Sequence, residues 1–348
     1  MDYARLQSLL EAATAARVAC IGDVMVDRFV YGEVSRTSPE APIAVLQRSH
    51  EQVMLGAAGN VARNVVALGG KAVIAGVIGI DDPGREALDL VGQSKIESRL
   101  VSDPDRPTTE KIRYVATGQQ LLRVDTEDAR PLQAEAEAGL AAALSSGAVG
   151  AGALLLSDYG KGAVTPSIID ACLVAAKASG AKLIIDTKVT DFARYGLADL
   201  IKPNASELAR ATGSPTSTDP EIEAALAKAL AQSPCAAVLV TRAAKGMSLA
   251  IRGEPVRHFS GLAREVFDVS GAGDTVMAGL GLALASGASL DEAVELALLA
   301  SSVVVGKLGT ATASPDELIE AALAAHLAPA EAKVATPRRM AEKAARWR

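Results

Sequence analysis

The sequence predicts an α/β protein with a doubly wound, mostly parallel sheet flanked by helices, and a small β-sheet lid. From about residue 131 onward, apolar strands alternate with helical segments, which is the pattern of a parallel sheet. The first strand, Arg17–Gly22, is continuously apolar after its first residue, as in strands buried on both faces. Segments 28–55 and 108–125 interrupt this rhythm with β character. We therefore expect one domain over residues 1–328, a lid made of these two segments, and a flexible basic tail over 329–348.

The elements follow one another along the chain with few long gaps. Helices are predicted at 3–16, 56–68, 84–93, 132–146, 165–179, 271–285, 289–307 and 315–327. Strands outside the lid are predicted at 17–22, 71–77, 153–156, 182–185, 200–202 and 237–240. Lid strands are predicted at 43–48, 50–55, 111–116 and 120–125. We expect the lid strands to pair as one sheet that covers the functional site.

Composition excludes several classes of function. Aromatic residues are only 3% of the chain and the net charge is −6, so a nucleic-acid partner is not expected. The three cysteines, Cys20, Cys172 and Cys235, lie far apart in apolar contexts. They are typical of buried thiols in a reducing compartment and lack the spacing of a zinc site. No signal peptide or membrane span is apparent, and we expect a soluble cytoplasmic protein.

Two aspartates follow the first strand at the place where α/β sheets bind ligands. Asp23 and Asp27 come just after Gly22, at the carboxyl end of a parallel strand. A carboxylate accepts hydrogen bonds from hydroxyl groups, so both residues are candidates for holding a sugar. The alternative is that one of them is a turn or capping residue.

Two asparagines lie one turn apart on the next predicted helix. Asn60 and Asn64 share one face of that helix, and the small residues at 56–59 let a ligand approach the backbone. Each amide can donate to and accept from a hydroxyl group. These residues could instead be a helix cap and an exposed amide.

Polar loops follow four later strands, at 157–162, 186–188, 203–207 and 241–246. Because the carboxyl ends of parallel strands meet at one edge of a sheet, this recurrence indicates a site there. Asp158 in the first of these loops is a further candidate sugar ligand. Asn204 and Glu207 could position the water bound to Mg²⁺, or they could form the capping box of a helix.

Residues 271–274, with the sequence Gly-Ala-Gly-Asp, follow an apolar, strand-like segment at 265–267 and open a long helix. The small side chains of Gly271, Ala272 and Gly273 let the backbone N–H groups converge at the positive end of the helix dipole, so we expect an anion there. Asp274 places a carboxylate beside that anion. This combination suits a kinase, which needs a base for the attacking hydroxyl and a clamp for the phosphoryl group. The alternative is an aspartate that only favours the helix dipole.

With these motifs in place, residues 15–327 resemble the ribokinase/phosphofructokinase-B family of sugar kinases. The family's C-terminal signature is matched over 268–280, with a departure at Gly281. Its N-terminal signature is matched from Ala58 to Gly79, with Gly56-Ala57 in place of the usual paired glycines. A dinucleotide dehydrogenase is disfavoured, because no Gly-x-Gly-x-x-Gly motif follows the first strand.

The resemblance implies a ribokinase-like fold that uses ATP and Mg²⁺ to phosphorylate a sugar, with Asp274 as the catalytic base. Asp268 and Ser270 would contribute to a monovalent-cation site, such as one for K⁺. A lid of few strands is marginal alone, so we expect lids to pair in a homodimer. The residues implied in nucleotide and metal binding are Asn204, Glu207, Thr241, Gly246 and Lys188. Further candidates for phosphate contact are Lys161, Arg36 and Arg123.

Finer features resemble the bacterial D-glycero-β-D-manno-heptose 7-phosphate kinases within this family. The matching segments are 22–42, 156–162 and 186–192, with a departure at Thr187. This resemblance implies phosphorylation of the anomeric hydroxyl to give the 1,7-bisphosphate, which feeds ADP-heptose for the lipopolysaccharide inner core. The chain ends before a fused adenylyltransferase domain could fit, so we expect the stand-alone form. The alternatives are a kinase of another sugar, such as ribose or a fructose phosphate, and a non-catalytic sugar-binding module.

Overall fold

The computed structural model describes residues 1–262, 269–307 and 309–333. The helices are α1 (Tyr3–Ala13), α2 (Ala58–Ala67), α3 (Asp82–Gln93), α4 (Ala134–Gly147), α5 (Pro166–Ser179), α6 (Ala205–Thr212), α7 (Asp219–Gln232), α8 (Ala272–Ala285), α9 (Leu290–Val304) and α10 (Pro315–Lys333). The strands are β1 (Arg17–Gly22), β2 (Val24–Thr37), β3 (Ala44–Ala57), β4 (Lys71–Gly79), β5 (Glu97–Asp103), β6 (Thr109–Ala116), β7 (Gln119–Thr126), β8 (Ala153–Asp158), β9 (Lys182–Thr187), β10 (Leu200–Ile201), β11 (Ala237–Thr241), β12 (Met247–Ile251) and β13 (Arg257–Phe259). Short 3₁₀ helices span Phe192–Tyr195 and Ala243–Lys245.

The main sheet confirms the predicted α/β fold class. In the described part of the chain its strands lie in the order β13-β12-β11-β10-β9-β8-β1-β4-β5. All pairings from β11 to β5 are parallel, and β12 and β13 add antiparallel strands at one edge. The chain winds from β1 through β4 to β5, and then continues from β8 in the opposite direction. The point between β1 and β8 is therefore the topological switch point, where such sheets bind ligands.

Helices cover both faces of this sheet. Strand β1 shows the reason, because its successive side chains point to opposite faces. Val18 and Cys20 pack in the hydrophobic cluster beneath α2 and α8, whereas Ala19 and Ile21 pack in the cluster beneath α4 and α5. A strand that must bury both faces reads as continuously apolar, which is why β1 was predicted with its exact bounds.

The lid is a separate four-stranded sheet in the order β3-β2-β6-β7. The predicted pairing of 43–55 with 108–125 in one sheet is confirmed, but the two segments meet through β2, which was not predicted. The predicted strands 43–48 and 50–55 are in fact the single strand β3. Strand β2 is hard to recognise in the sequence, because its first half is buried against the domain and its second half is exposed. Apolar and polar residues therefore do not alternate regularly along it.

A cluster of charges joins the lid to the domain beneath it. Arg28 on β2 contacts three carboxylates, with nitrogen–oxygen distances of 3.3 Å to Glu51, 2.5 Å to Glu86 and 2.8 Å to Glu110. Glu51 and Glu110 belong to lid strands, and Glu86 belongs to α3. The guanidinium therefore fixes the root of the lid against the first half of the domain.

Other predicted bounds changed at the ends of the chain. Helix α10 continues to Lys333, so the predicted tail is helical at its start, and its remainder lies outside the described residues. The strand-like segment expected at 265–267 also lies outside them. Strands β5, β12 and β13 and helix α7 were not predicted, and α6 was expected only through the alternative interpretation of Asn204 and Glu207 as a capping box. None of the helices in the described part of the chain combines the length and hydropathy needed to cross a bilayer.

Candidate active site

Helix α8 begins at residues 271–274, where the sequence predicted an anion-binding site; we call this segment the cradle. Gly271 caps the helix with φ 75°, ψ −1°, a left-handed conformation that glycine adopts readily. A Cβ at this position would lie 2.9 Å from Nδ2 of Asn60, so glycine is also required by close packing. A Cβ at Gly273 would meet only Nζ of Lys202, at 3.8 Å. The backbone is therefore tightly held at Gly271 and leaves room for a ligand at Gly273.

Asp274 is buried in the first turn of α8 and has two donors on its carboxylate. Nδ2 of Asn60 donates to Oδ2 at 2.7 Å, and the hydroxyl of Tyr159 donates to Oδ1 at 2.8 Å. Burial raises the pKa of Asp274 to about 6, and the nearby Asp186 adds to the rise, whereas the two hydrogen bonds and Lys202 oppose it. The group is thus mostly ionised at neutral pH and is a stronger base than a surface aspartate.

Asn64 supports Asn60 from one turn further along α2. Its Nδ2 donates to the backbone oxygen of Asn60 at 2.9 Å, and its Oδ1 accepts from the hydroxyl of Thr275 at 2.9 Å. Both asparagines are fully buried, and Ala57 occupies the capping position of α2. The alternatives of a helix cap and an exposed amide are therefore wrong. Asn64 ties α2 to α8 and orients the amide that contacts Asp274.

Asp23 anchors the loop after β8 and does not face open space. Its carboxylate, 2% exposed, accepts from the backbone N–H groups of Tyr159 at 2.7 Å, Lys161 at 3.1 Å and Ala163 at 3.2 Å. Burial raises the pKa of Asp23 to about 6, against the effect of these three hydrogen bonds. We therefore revise its expected role from sugar ligand to loop anchor, because the backbone occupies both of its oxygens.

Asp158 likewise binds internal partners. Its Oδ2 accepts from the hydroxyl of Tyr195 at 2.7 Å, and its Oδ1 accepts from the N–H of Gly160 at 3.1 Å. The side chain is 2% exposed. Its expected role is revised in the same way, since it holds the start of the loop to the 3₁₀ helix Phe192–Tyr195.

Asp27 does not follow β1 directly but lies on the lid strand β2, and it is paired with a cation on the neighbouring lid strand. Its Oδ1 accepts from Arg113 on β6 at 2.5 Å, and its Oδ2 lies where a Cβ on Gly56 would come within 2.5 Å. Gly56 is thus needed for the carboxylate to fit. The neighbouring Ala57, which replaces a glycine of the family pattern, adopts φ 47°, ψ −127°. Such a conformation strains any residue with a Cβ.

Arg63 is a residue of the site that was not predicted from the sequence. It lies on α2 between Asn60 and Asn64, and it donates to the backbone oxygen of Thr310. Burial lowers the pKa of Arg63, while the charges of Asp274 and Asp27 act in the opposite direction. A largely buried guanidinium therefore sits near both carboxylates. The sequence did hold a signal for it, because residues 60 and 63 are three positions apart and therefore share one face of α2.

A second group of charges lies across the start of α8. Nζ of Lys202 is 3.2 Å from Oδ1 of Asp186, and both side chains are buried. Nζ of Lys188 donates to Oε1 of Glu207 at 2.7 Å. Lys202 was not predicted, although it precedes the polar loop after β10. Because Lys202 also points toward Gly273, this group places a cation beside the open end of the cradle.

The predicted capping box at α6 is present. Oδ1 of Asn204 accepts from the N–H of Glu207 at 2.8 Å, and Oε2 of Glu207 accepts from the N–H of Asn204 at 2.7 Å. In the described residues there is no cluster of three or more acidic, histidine or cysteine side chains that could hold a metal. Asn204 and Glu207 therefore fit Mg²⁺ only through water molecules bound to the ion, which is the usual arrangement for Mg²⁺.

The comparison with protein families decides the class. Residues 15–317 match the family described as pfkB family carbohydrate kinase. The chain belongs to this family. It is a carbohydrate kinase, and its ribokinase-like fold confirms the resemblance seen in the sequence.

Similar proteins agree with this assignment. The Bifunctional protein HldE of Hyphomonas neptunium is 51% identical over 92% of this chain, which spans 66% of that protein. The chain thus spans about two thirds of this relative. Phosphofructokinase-2 from Escherichia coli, solved with substrates and products, superposes with a TM-score of 0.74 at 19% identity, over 90% of this chain and 99% of that one. Ribokinase from Arabidopsis thaliana, complexed with ribose and ATP, gives 0.70 at 24% identity, over 88% and 98%. The two structures support the fold.

The remaining predicted residues of this carbohydrate kinase lie at the end of β11, in the turn after it and just before α8. Thr241 donates its N–H to the backbone of Pro203 at 3.1 Å, which places it beside Asn204. Gly246 has φ 87°, and a Cβ there would clash with the backbone of Phe259. Ser270 precedes the cap of α8, whereas Asp268 lies outside the described residues.

The predicted phosphate-binding cations do not gather at one point. Lys161 pairs with Glu127 at 2.7 Å, and Arg123 pairs with Asp125 at 2.9 Å. Arg123 lies opposite Arg113 in the lid, on the face that also carries Asp27. Arg36 is exposed in the outer half of β2. The structure thus brings Arg123 and Lys161 to the lid side, while Lys188 lies with Glu207.

Proposed function

We propose that this kinase transfers a phosphoryl group from ATP to the anomeric hydroxyl of D-glycero-D-manno-heptose 7-phosphate, giving the 1,7-bisphosphate. The observation that carries the proposal is the buried Asp274 carboxylate at the start of α8, beside the open cradle at Gly273. The substrate is supported by the resemblance of 22–42 and 156–162 to heptose 7-phosphate kinases, and by the similarity to proteins named HldE. The product would feed ADP-heptose for the lipopolysaccharide inner core.

Asp274 is the base that receives the proton of the attacking hydroxyl. Asn60 and Tyr159 each use one lone pair of a different carboxylate oxygen, so other lone pairs are left for the sugar. Because phosphoryl transfer proceeds through a loose transition state, the proton can move late, and positioning matters more than strong basicity. A pKa of about 6 keeps Asp274 ionised at neutral pH.

The start of α8 and Lys202 stabilise charge on the transferring group. The first-turn N–H groups of α8 lie at the positive end of the helix dipole, and Lys202 lies beside Gly273, whereas the N–H of Ala272 already donates to the backbone oxygen of Val269 at 3.2 Å. When bound, ATP supplies the phosphoryl group and Mg²⁺ neutralises charge on its phosphates. Asn204 and Glu207 would hold the metal through water, and Thr241, Gly246 and Lys188 would line the nucleotide site.

Asp27 and Asn60 hold the sugar on the other side of Asp274. Arg113 on β6 fixes the carboxylate of Asp27 on the neighbouring lid strand β2, so the inner end of the lid would contact the sugar. Arg123 and Lys161 are candidates for the 7-phosphate because they lie on the lid side of the site. Closure of the lid would exclude water from the reaction.

A homodimer would cover the apolar face of the lid. Leu122 and Val124 on β7 and Val34 on β2 are exposed, and a sheet of four strands gains stability when such side chains are buried. Lids of two copies would pair through this face. The domain would extend over residues 1–328, and the chain beyond would be a basic tail.

A panel of sugar phosphates tests the substrate. The purified protein should consume ATP with heptose 7-phosphate far faster than with fructose 6-phosphate or ribose. Turnover of ribose or a fructose phosphate alone would overturn the heptose assignment and leave a kinase of another sugar.

Asp274→Asn tests the base. The amide keeps the shape of the side chain but cannot accept the proton, so turnover should disappear while ATP binding, measured by calorimetry, remains. An active variant would refute the role of Asp274. The matched control is Asp170→Asn, an exposed aspartate on α5, which should retain full activity.

A further inference from the structure

Tyr159 is the one tyrosine whose hydroxyl contacts Asp274 in the described residues. The hydroxyl donates to Oδ1 at 2.8 Å, while Asn60 donates to Oδ2 at 2.7 Å. The two donors come from different elements, the loop after β8 and helix α2. Two oxygens held from two sides fix the plane of a carboxylate, which one hydrogen bond alone would leave free to rotate.

The loop that carries Tyr159 is itself firmly held. Asp23 accepts from three of its backbone N–H groups, one of them that of Tyr159, at 2.7 Å. Asp158 fastens the start of the loop to the hydroxyl of Tyr195 at 2.7 Å. Nζ of Lys188 lies 5.1 Å from the centre of the Tyr159 ring, which confines the ring on its other side. The buried carboxylates at 23 and 158 therefore serve to place this ring.

The hydroxyl of Tyr159 remains a donor across the working pH range. Burial raises the pKa of Tyr159 well above its ordinary value, and the neighbouring Asp274 charge adds to the rise. A hydroxyl that keeps its proton beside a carboxylate donates to the ionised form and so favours it. Without this bond, fewer groups would oppose the rise in the pKa of Asp274 that burial causes.

We propose that Tyr159 is a positioning residue that holds the Asp274 carboxylate in the plane and charge state needed to receive the proton of the sugar. The inference rests on the proposed base role of Asp274. It assigns the loop 158–163 to the reaction through its tyrosine, and it explains why two aspartates are buried beneath a surface loop.

The pH dependence of turnover separates this role from a purely structural one. Several other ionisable groups act on Asp274 from the elements packed around it: Asp186 on β9, Lys188 after it, Lys202 after β10 and Arg63 on α2. All of them are unchanged in a variant at position 159. The phosphate of the substrate titrates identically with each variant, so any difference between variants reports the enzyme.

Tyr159→Phe should move the acid limb of the kcat/KM profile upward by about one to two pH units, the size expected for losing a hydrogen bond to a charged group. At pH 8.5, where Asp274 is ionised in both proteins, kcat should still fall about tenfold through lost alignment. Tyr3→Phe is the matched control, because it removes a tyrosine hydroxyl that contacts Gln7 on α1 at 3.1 Å and takes no part in holding the loop 158–163. It should leave the acid limb in place.

A second variant covers the case in which Tyr159→Phe folds poorly. Site-specific 3-fluorotyrosine at position 159 keeps the ring and makes the hydroxyl a stronger donor, so the acid limb should move to lower pH. Acid limbs of both variants that coincide with the wild type would overturn the positioning role. If Asp274→Asn were active, the proposed function would fail instead, whatever the variants at position 159 show.

Discussion

Asp274→Asn is expected to stabilise the protein while it abolishes turnover. Burial raises the pKa of this carboxyl from an ordinary 3.8 to about 6, so holding it ionised in the folded state is unfavourable. At 1.36 kcal/mol for each pH unit, the cost at neutral pH is about 3 kcal/mol. Asparagine avoids this cost, because its oxygen accepts from Asn60 and its amide donates to the hydroxyl of Tyr159.

The sign of the effect depends on pH in a defined way. Below about pH 3 the carboxyl is protonated in the folded and unfolded states, and the cost is absent. As pH rises toward 6 the unfolded chain ionises first, so the wild type loses stability relative to the variant. The advantage of Asp274→Asn should be about 1–2 kcal/mol at pH 5 and about 3 kcal/mol at pH 7.5.

Urea unfolding followed by circular dichroism at the two pH values measures this difference. The matched control is Asp23→Asn, whose carboxyl has a pKa raised to the same value of about 6. Asp23 accepts from three backbone N–H groups, and an amide would turn a donor toward at least one of them. This control should therefore be destabilised. A destabilised Asp274→Asn, or an advantage that is equal at both pH values, would refute the reasoning.

Three further predictions concern the cradle and its charges. Gly273→Ala should leave the melting temperature unchanged and lower kcat about a hundredfold, because the added methyl group fills the space for the ligand. Gly271→Ala should instead lower the free energy of unfolding by about 1–3 kcal/mol, because Gly271 has a left-handed φ. Scanning calorimetry and initial rates distinguish the two variants. Lys202→Met should destabilise the protein by about 3 kcal/mol, because it removes the nearer of the two lysines beside Asp186 and leaves only Lys188 at 3.8 Å. Adding Asp186→Asn should restore stability in urea titrations without restoring kcat. Arg113→Ala should raise KM for the sugar phosphate about tenfold with KM for ATP unchanged, and equal changes in both constants would contradict its place on the sugar side.

Much of the fold could be predicted because β1 and β8 to β11 are short apolar runs between amphipathic helices, and burial on both faces leaves a clear signal. Strand β2 could not be predicted, since it passes from the domain into the lid and its burial changes half-way. The cradle at 271–274 was visible because glycines beside a helix start have few other uses. The partners of Asp274 were harder, since Tyr159 is 115 residues away in the chain.

The sequence by itself determined the fold class, the family and the residues of the cradle, because these depend on local pattern and on short motifs with a fixed spacing. Only the tertiary structure decided which polar side chains face the site. Asp23 and Asp27 are four residues apart, yet Asp23 lies between β1 and β2 and is bound by the backbone of the loop after β8, whereas Asp27 lies on the lid strand β2 and pairs with Arg113 on β6. Their difference lies in what packs against each oxygen, which is set by distant segments and leaves no trace in the spacing.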